Sequence, residues 1–329
     1  MPACSWLTAT LIPWYGDPME TRELGKTGMH VSVLGFGGAT LGNEYGDVRN
    51  EDANRAVHKA IDEGITFVDV APYYGRTLAE ERLGEALEGR RDEVVLATKC
   101  CRYDRRGFDF SAERVLADID TSLARLRTDR VDLFQIHDVE FGDTQQILQE
   151  TLPAMRQVQA SGKARFIGIT GLPVHLLAQI AQEFPVDTVL SYCHYNLLVD
   201  DLATVLSPLA ESHGFGLINA SPLHMGILSP GGEQPWHPGD PEVKVAGRAM
   251  AAACKARGKN IAEVALHFAM HGPGIATTLC GMRTPAEVTS NLAAYRSAPD
   301  AELMAELHAI AAPIKNRTWH EGLPENASS

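Results

Sequence analysis

The sequence predicts an α/β protein, a closed (β/α)8 TIM barrel with an N-terminal β-hairpin and a C-terminal extra helix and tail. From Leu34 onwards, short apolar segments of strand length alternate with amphipathic segments of helix length. Parallel strands need helical crossovers, and eight strand–helix units in about 250 residues match a closed barrel. An open doubly wound sheet is the alternative, but GFGGATLG after the first strand does not fit its GxGxxG phosphate loop.

The predicted elements follow one another in a regular order. Polar–apolar alternation interrupted by Gly-Lys-Thr-Gly predicts the hairpin over residues 21–33. The eight strands are predicted at residues 34–38, 66–69, 94–99, 131–136, 166–170, 188–192, 216–219 and 276–280. The helices are predicted at residues 51–63, 80–87, 111–126, 144–161, 174–183, 202–213, 243–257 and 261–270, with one more over PAEVTSN and the extra helix at 300–312.

Three segments fall outside this alternation. Residues 1–18 are predicted to be a loose extension, since they lack the basic start and apolar core of a signal peptide, and residues 19–329 to form a single domain. The Pro/Gly-rich residues 229–241 and the tail 313–329 each carry a tryptophan. We expect these two segments either to wall a substrate pocket or to pack on the surface.

Composition excludes several classes of function. The net charge of −13 and the lack of a Lys/Arg cluster argue against nucleic-acid binding. The longest apolar runs have strand length, so no membrane-spanning helix is predicted. The six cysteines show no CxxC spacing and no metal-binding cluster with histidine. A disulfide between the adjacent Cys100 and Cys101 would be strained, so we expect free thiols and a cytoplasmic location. Independently of the cysteines, a monomer is the default expectation.

Four polar residues lie at the ends of three strands. Asp69 ends one apolar strand, and Tyr74 follows it after a turn. Lys99 ends the next strand, and His137 follows the third. The carboxyl ends of parallel barrel strands meet at one face, so we expect a single site there.

This set of side chains suits proton transfer coupled to hydride transfer at a carbonyl or alcohol carbon. A nearby ammonium lowers the pKa of a tyrosine, and a buried lysine needs a carboxylate partner, which Asp69 supplies. A neutral imidazole can hydrogen-bond a substrate oxygen while the tyrosine moves the proton. A metal site is not predicted, because lysine and tyrosine are unusual ligands and only one of these four residues is a histidine.

Each residue also has a simpler interpretation. Asp69 could cap a helix, Lys99 could be a solvated strand end, and His137 could belong to a loop. Their combination at successive strand ends favours catalysis. A serine nucleophile is not predicted, because no GxSxG motif occurs.

From Glu20 to about Ala311 the sequence resembles the aldo-keto reductases, NAD(P)-dependent oxidoreductases on a (β/α)8 barrel. The resemblance is carried by RELGKTGMHVSVLGFGG, FVDVAPYYG, VLATK, VDLFQIHD, FIGIT, ASPL and GMRTPAEVTSNL. Within the family, GFDFSAERV, IHDVEFG, IGITGLP, LSYCHYN and PIKNRTW are most similar to enzymes that oxidise L-galactose, L-fucose and related aldoses at the anomeric carbon.

The resemblance implies a role for each residue of the site. Tyr74 would transfer the proton, Lys99 would lower its pKa, Asp69 would hold Lys99, and His137 would orient the substrate oxygen. The implied cofactor-binding residues are Gly38, Thr40, Asp69, Thr170, Tyr192, Ser221, Leu223, Gly226, Leu228, Gly281, Met282, Arg283, Glu287 and Asn291. The substrate candidates are Tyr45, Arg102, His137, His194, Trp236 and Trp319.

The sequence departs from the family pattern around the cofactor. The Ser-Asn pair that holds the carboxamide is replaced by Thr170-Gly171, and the usual glutamine on strand six by Tyr192, which could stack on the nicotinamide. Glu287 stands where NADP-preferring members have an arginine for the 2′-phosphate. A carboxylate repels phosphate but accepts hydrogen bonds from ribose hydroxyls, so NAD is the expected cofactor. Arg283 keeps NADP possible, and Glu287 could simply be a helix-start acid.

Three functions are compatible with these residues. The favoured one is an NAD-dependent aldose 1-dehydrogenase acting on a free, galactose-like sugar. The second is a general NADPH-dependent aldehyde or ketone reductase, which would be expected to carry an arginine at position 287. The third is a non-catalytic, cofactor-sensing regulatory subunit, which the four polar residues argue against.

Overall fold

The computed structural model describes residues 18–297 and 300–327, so almost all of the predicted extension 1–18 lies outside the described part. The hairpin prediction is confirmed by two short antiparallel strands, β1 (Thr21–Glu23) and β2 (His30–Ser32). The hairpin closes the amino-terminal end of the barrel. There Lys26 N donates to Gly214 O over 2.9 Å, and the Arg22 guanidinium donates to two backbone carbonyls next to the last strand.

Eight parallel strands close into a barrel, as predicted. Strand β3 pairs with both β4 and β10, which completes the ring. The strands are β3 (Leu34–Gly37), β4 (Phe67–Asp69), β5 (Val95–Cys100), β6 (Val131–Ile136), β7 (Ala164–Gly171), β8 (Thr188–Tyr192), β9 (Gly216–Ala220) and β10 (Ile275–Gly281).

Helices pack around the barrel. They are α1 (Asn50–Asp62), α2 (Leu78–Ala86), α3 (Ala112–Leu126), α4 (Thr144–Gln146), α5 (Leu152–Ala160), α6 (Val174–Glu183), α7 (Leu202–His213), α8 (Pro241–Ala256), α9 (Ile261–Met270), α10 (Pro285–Arg296) and α11 (Ala301–Ala311). The helix predicted over 144–161 is interrupted by a π-helical turn, Ile147–Thr151, where the Thr151 hydroxyl donates to Phe110 O. The extra helix α11 buries Leu303 and Leu307 in one apolar cluster with Val243 and Met250 of α8.

The barrel interior explains why polar groups collect at one end. Phe67, Ala97 and Leu133 pack inside the barrel on β4, β5 and β6. Side chains alternate between the two faces of a strand, so the residue two positions further along faces inward as well. That rule places Asp69 and Lys99 at the carboxyl end of the interior. His137 lies four residues after Leu133, just past the end of β6, and faces the same way. That residues 19–329 form a single domain stays a prediction.

No helix in the described ranges is long and apolar enough to cross a membrane. Cys100 and Cys101 are free thiols with their sulfur atoms 3.4 Å apart. Cys193, Cys254 and Cys280 are also free and buried, whereas Cys4 lies outside the described residues.

Candidate active site

A buried ion pair forms the base of the site. The Lys99 ammonium, 1% exposed, donates to Asp69 Oδ1, to Val70 O over 3.1 Å and to the Tyr74 hydroxyl over 3.2 Å. Gln135 Nε2 donates to the other Asp69 oxygen over 2.9 Å. All three ammonium hydrogens and both carboxylate oxygens therefore have partners, the condition under which a buried pair is tolerated.

The charges of this pair hold each other in place. Burial by itself lowers the pKa of Lys99, but the charges of Asp69 and Tyr74 and their hydrogen bonds outweigh it, so the pKa is raised above its ordinary value. Burial raises the pKa of Asp69, and Lys99 and Gln135 oppose that rise. We assign the pair as ammonium and carboxylate at neutral pH, because each oxygen of Asp69 accepts a hydrogen bond.

Tyr74 lies in a more demanding environment than the sequence indicated. Burial raises the pKa of Tyr74 above 10, and the positive charge of Lys99 opposes that rise without cancelling it. The expected effect of Lys99 is therefore present, but the net direction of the Tyr74 pKa is upward. Lys99 Nζ also lies 4.8 Å from the centre of the Tyr74 ring. The protein's own residues thus favour a protonated Tyr74, and further positive charge beside it would favour the phenolate.

His137 completes the group as a neutral ring. Burial, followed by the charges of Lys99 and Arg102, lowers the pKa of His137 well below 6.5. The ring lies edge-on to Tyr74, with centroids 5.5 Å apart. Its Nδ1 is buried and has no hydrogen-bond partner among the described residues. The neutral imidazole therefore keeps a nitrogen free for a ligand beside the tyrosine.

The turn that carries Tyr74 is held against the turn that follows β3. Gly75 has a φ of +61°, and a Cβ on it would lie 2.4 Å from Gly42 O. Gly75 N also donates to Glu44 Oε1 over 2.8 Å. The two turns can approach this closely only because both residues at the contact are glycines.

Three residues near the site had no assigned role in the sequence interpretation: Gln135, Asp138 and Tyr73. Gln135 lies two positions before His137 and so shares its face of β6, a signal that strand periodicity could have shown. The Arg102 guanidinium stacks 3.9 Å from the centre of the Tyr73 ring and donates to the Asp138 carboxylate. Tyr73 in turn contacts His137, with ring centroids 5.8 Å apart.

The remaining substrate candidates separate into two places. Tyr45 is 47% exposed, and desolvation, followed by the charge of Tyr74, raises its pKa. Trp236 and Trp319 instead contact His237, with ring centroids 6.2 and 5.2 Å apart. His194 is buried, and its Nδ1 lies 2.7 Å from Asp201 Oδ1.

These three aromatic residues belong to one cluster around His224. The ring of Trp319 is edge-on to that of His224, with centroids 5.4 Å apart. Burial, followed by the nearby His237 and His194, lowers the pKa of His224. In the described ranges, His194, Trp236 and Trp319 make no ring contact or hydrogen bond with Asp69, Tyr74, Lys99 or His137. The structure therefore brings Arg102 near His137, and places His194 after β8, Trp236 in the loop after β9 and Trp319 in the tail.

The residues expected around a nicotinamide lie at the same end. Gly38 and Thr40 form the turn after β3, and Thr40 Oγ1 is buried with no partner in the described chain. Thr170 Oγ1 accepts a hydrogen bond from Asp138 N over 3.1 Å. The Tyr192 hydroxyl donates to Glu140 Oε1 over 3.1 Å.

The loop after β9 contains several residues with left-handed backbone conformation. Ser221, His224 and Met225 have φ values of 53°, 49° and 50°, and Gly226 has one of 105°. The N–H groups of His224, Gly226, Ile227 and Leu228 donate to carbonyl oxygens of the same loop, which fixes its shape. The expected residues Ser221, Leu223, Gly226 and Leu228 all lie on this loop. Among the residues expected to bind the cofactor, the buried Thr40 hydroxyl, which has no partner in the described part of the chain, is the feature that fits a bound dinucleotide.

At the expected adenosine end, Arg283 and Glu287 bind each other. Arg283 N and Nε donate to the two oxygens of Glu287, each over 2.8 Å, and Arg283 Nη1 donates to Tyr45 O over 2.7 Å. Asn291 Nδ2 donates to Gly281 O over 3.3 Å, while Met282 is fully buried. The acid thus neutralises the arginine that could otherwise grip a phosphate.

Comparison with known proteins places these features in a family. The model of the aldo/keto reductase family matches residues 33–312. L-galactose dehydrogenase of Arabidopsis thaliana is 44% identical over 318 residues, covering 94% of this chain and 99% of that protein. D-threo-aldose 1-dehydrogenase of a Pseudomonas species is 28% identical over 298 residues, covering 80% and 89%.

Solved structures agree. An aldo-keto reductase of Bacillus halodurans in its holo form superposes with a TM-score of 0.74 at 26% identity, covering 92% of this chain and 99% of that one. The closed barrel, the matched family model and these relatives lead to one conclusion: the chain is an oxidoreductase that belongs to the aldo/keto reductase family.

Proposed function

We propose that this protein is an NAD-dependent aldose 1-dehydrogenase that oxidises the anomeric carbon of a free L-galactose-like or L-fucose-like sugar to the lactone. The observation that carries the proposal is the contact of the Lys99 ammonium with the Tyr74 hydroxyl, next to a neutral His137. Two relatives whose names specify aldose dehydrogenation support the choice of substrate class.

In this mechanism the protein handles the proton of the sugar. Tyr74, as the phenolate favoured by Lys99, accepts the proton of the anomeric hydroxyl while the C1–H bond breaks and a C=O bond forms. The free nitrogen of His137 donates to the same sugar oxygen and orients it. Asp69 keeps Lys99 in place and takes no direct part.

The cofactor site accounts for the electrons. A bound nicotinamide supplies the acceptor for the hydride that leaves C1. The chain's residues would hold it with Thr40, Thr170 and Tyr192 around the ring and with the loop Ser221–Leu228 along the pyrophosphate. The barrel wall excludes water from the reacting carbon.

Preference for NAD rests on the Arg283–Glu287 pair. A 2′-phosphate would have to displace the Glu287 carboxylate from Arg283 and lie beside a like charge. A ribose 2′-hydroxyl can instead donate to that carboxylate. The guanidinium is also held by Tyr45 O, which favours the paired arrangement.

Initial rates with NAD and NADP on free aldoses, and with NADPH on aromatic aldehydes, test the proposal. We expect oxidation of galactose-configured sugars with NAD and little aldehyde reduction. Tyr74→Phe should lower kcat by at least about 10³-fold while leaving NAD binding in place, because it removes the acid–base group alone. Faster aldehyde reduction with NADPH would indicate the reductase, and binding of cofactor without turnover of any substrate would indicate the regulatory subunit.

A further inference from the structure

Glu140 is a buried carboxyl group that the mechanism above does not use. It lies on the 3-10 turn Val139–Phe141 that follows His137 and Asp138, and none of its surface is exposed. Its Oε1 accepts hydrogen bonds from Leu172 N and from the Tyr192 hydroxyl, each over 3.1 Å. Tyr192 faces the barrel interior, two residues beyond the inward Leu190, so the carboxyl group borders the mouth of the barrel.

The second oxygen, Oε2, lies where a side chain of residue 171 would be. A Cβ built on Gly171 would be 2.6 Å from Glu140 Oε2, and its next neighbours would be Val139 and Leu177. The carboxyl group therefore depends on glycine at position 171, at the carboxyl end of β7. Oε2 is buried and has no hydrogen-bond partner among the described residues.

Holding the loop together does not explain this carboxyl group. The backbone of Glu140 is already fixed, because its carbonyl accepts from Leu323 N over 2.8 Å and from Asn326 Nδ2 over 2.9 Å. A buried polar atom left unpaired is destabilising, because it has lost its hydrogen bonds to water. Burial and the nearby Asp138 also raise the pKa of Glu140. An anionic ligand is disfavoured here by the same negative neighbour.

We propose that Glu140 Oε2 hydrogen-bonds a neutral polar group of a bound ligand, an amide or a hydroxyl. Two sources have this chemistry at this end of the barrel: the carboxamide of the nicotinamide and a hydroxyl of the sugar. The inference rests on the proposed function, which supplies both ligands. It adds a binding residue between β6 and β7, whose Oε2 takes the place of a side chain at position 171.

Calorimetric titration of Glu140→Ala with NAD and with ADP-ribose tests the first source. ADP-ribose has every part of NAD except the nicotinamide. If the carboxamide is the ligand, NAD binds about tenfold more weakly to the variant, the loss expected for one hydrogen bond, while ADP-ribose binds as it does to the wild type. This readout does not depend on turnover.

The sugar arm uses the same variant at saturating NAD. If a hydroxyl is the ligand, both titrations are unchanged and the KM for the preferred aldose rises about tenfold with kcat within threefold. The preferred aldose lacking one hydroxyl at a time then identifies the group: for one deoxy sugar, the wild type and the variant have the same KM.

Two further variants separate binding from structure. Gly171→Ala places a methyl group against Oε2 and should cause the same selective loss with the glutamate still present, which also covers a Glu140→Ala protein that fails to fold. Tyr192→Phe removes a donor from Oε1 only and should cause a smaller loss than Glu140→Ala.

Three results would overturn the inference. They are unchanged affinity for NAD and for the sugar, equal weakening of NAD and ADP-ribose, and a Tyr192→Phe loss as large as that of Glu140→Ala. The proposed function is tested separately with the wild-type protein. Failure of the wild type to bind NAD or to oxidise any aldose would refute the proposed function, independently of the Glu140 variants.

Discussion

At the scale of single residues, the unusual property of Tyr74 is the opposition between its burial and its neighbour. Burial raises the pKa of Tyr74, because the phenolate loses contact with water, and the Lys99 ammonium 3.2 Å away lowers it. The protonation state of Tyr74 therefore depends on the charge of Lys99. Asp69 and Gln135 matter because they keep that cation charged and in place.

Lys99→Met should move the pH dependence of oxidation to higher pH. The rate rises as Tyr74 loses its proton, so removing the cation that favours the phenolate raises the pKa of Tyr74 and moves the ascending limb of the pH profile to higher pH by at least about one unit. The measurement is kcat/KM for the aldose between pH 6 and pH 10.5. We expect activity at pH 7.5 to fall by about 10²-fold or more.

The control for this variant is Asp69→Asn combined with Lys99→Met, which avoids leaving an unpaired buried carboxylate. The double variant should show the same shifted limb with better stability. A limb that stays in place in both proteins would mean that a group other than Tyr74 accepts the proton.

At the scale of elements, the turns after β3 and β4 act as one unit because they touch at Gly42 and Gly75. Gly75→Ala should be destabilising in two ways, through its positive φ and through the contact with Gly42 O. Gly89→Ala is the matched control, since Gly89 has a φ of +75° but nothing within 4 Å of a built Cβ.

We expect Gly89→Ala to cost about 1–2 kcal/mol and Gly75→Ala about 1–3 kcal/mol more, measured by urea unfolding. Only Gly75→Ala should also lower kcat, because it displaces the turn that carries Tyr74. An equal loss of unfolding free energy in Gly75→Ala and Gly89→Ala would show that the contact between the turns after β3 and β4 adds nothing to stability.

The start of α10 decides the cofactor in our proposal. Glu287→Gln keeps an oxygen for Arg283 N but removes the negative charge, so kcat/KM for NADP relative to NAD should rise about tenfold, as one ionic contact with the phosphate becomes available. The matched control is Glu113→Gln, the same change in the first turn of α3. A ratio that does not move would remove Glu287 from the determinants of cofactor choice.

At the scale of the whole molecule, the tail links the two sides of the barrel mouth. Lys315 pairs with Asp200 over 2.8 Å beyond β8, and the buried Asn326 donates to Glu140 O and Gly142 O beyond β6. Between these anchors, Trp319 packs on the histidine pair His224 and His237. The tail therefore packs at the barrel mouth partly through two histidines, His224 and His237, whose protonation depends on pH.

This packing should make stability depend on pH. Burial lowers the pKa of His224 to about 3, and burial also lowers the pKa of His237. In the unfolded chain these histidines bind protons near pH 6.5, whereas in the folded protein they stay neutral to lower pH. The stability present above pH 6.5 is therefore lost as pH falls toward 3. His224 alone should account for about 2 kcal/mol between pH 7 and pH 5.

Urea unfolding at pH 7 and pH 5 measures this effect. His224→Gln should reduce the fall in unfolding free energy, whereas His30→Gln, an exposed change in the hairpin, should leave it as it is. An identical pH dependence in the wild type and His224→Gln would show that other groups cause the loss.

The sequence by itself determined the order of strands and helices, the closed barrel, the hairpin and the family. These follow from local patterns: apolar strands of period two, helices of period 3.6, and glycines that end them. The same periodicity brought Asp69, Lys99 and His137 to one end, because residues two apart on a strand share a face. These patterns did not predict the π-helical turn within the helix expected at 144–161. There the Thr151 hydroxyl donates to Phe110 O, a contact between segments that are distant in the sequence.

The tertiary structure alone decided what surrounds each of these groups. The upward pKa of Tyr74 depends on how completely it is desolvated, and the pairing of Arg283 with Glu287 on side-chain conformation. Glu140 came to lie over Gly171 because two segments 31 positions apart meet at the rim. Burial and contacts between distant segments are set by packing of the whole chain, and no local pattern of residues encodes them.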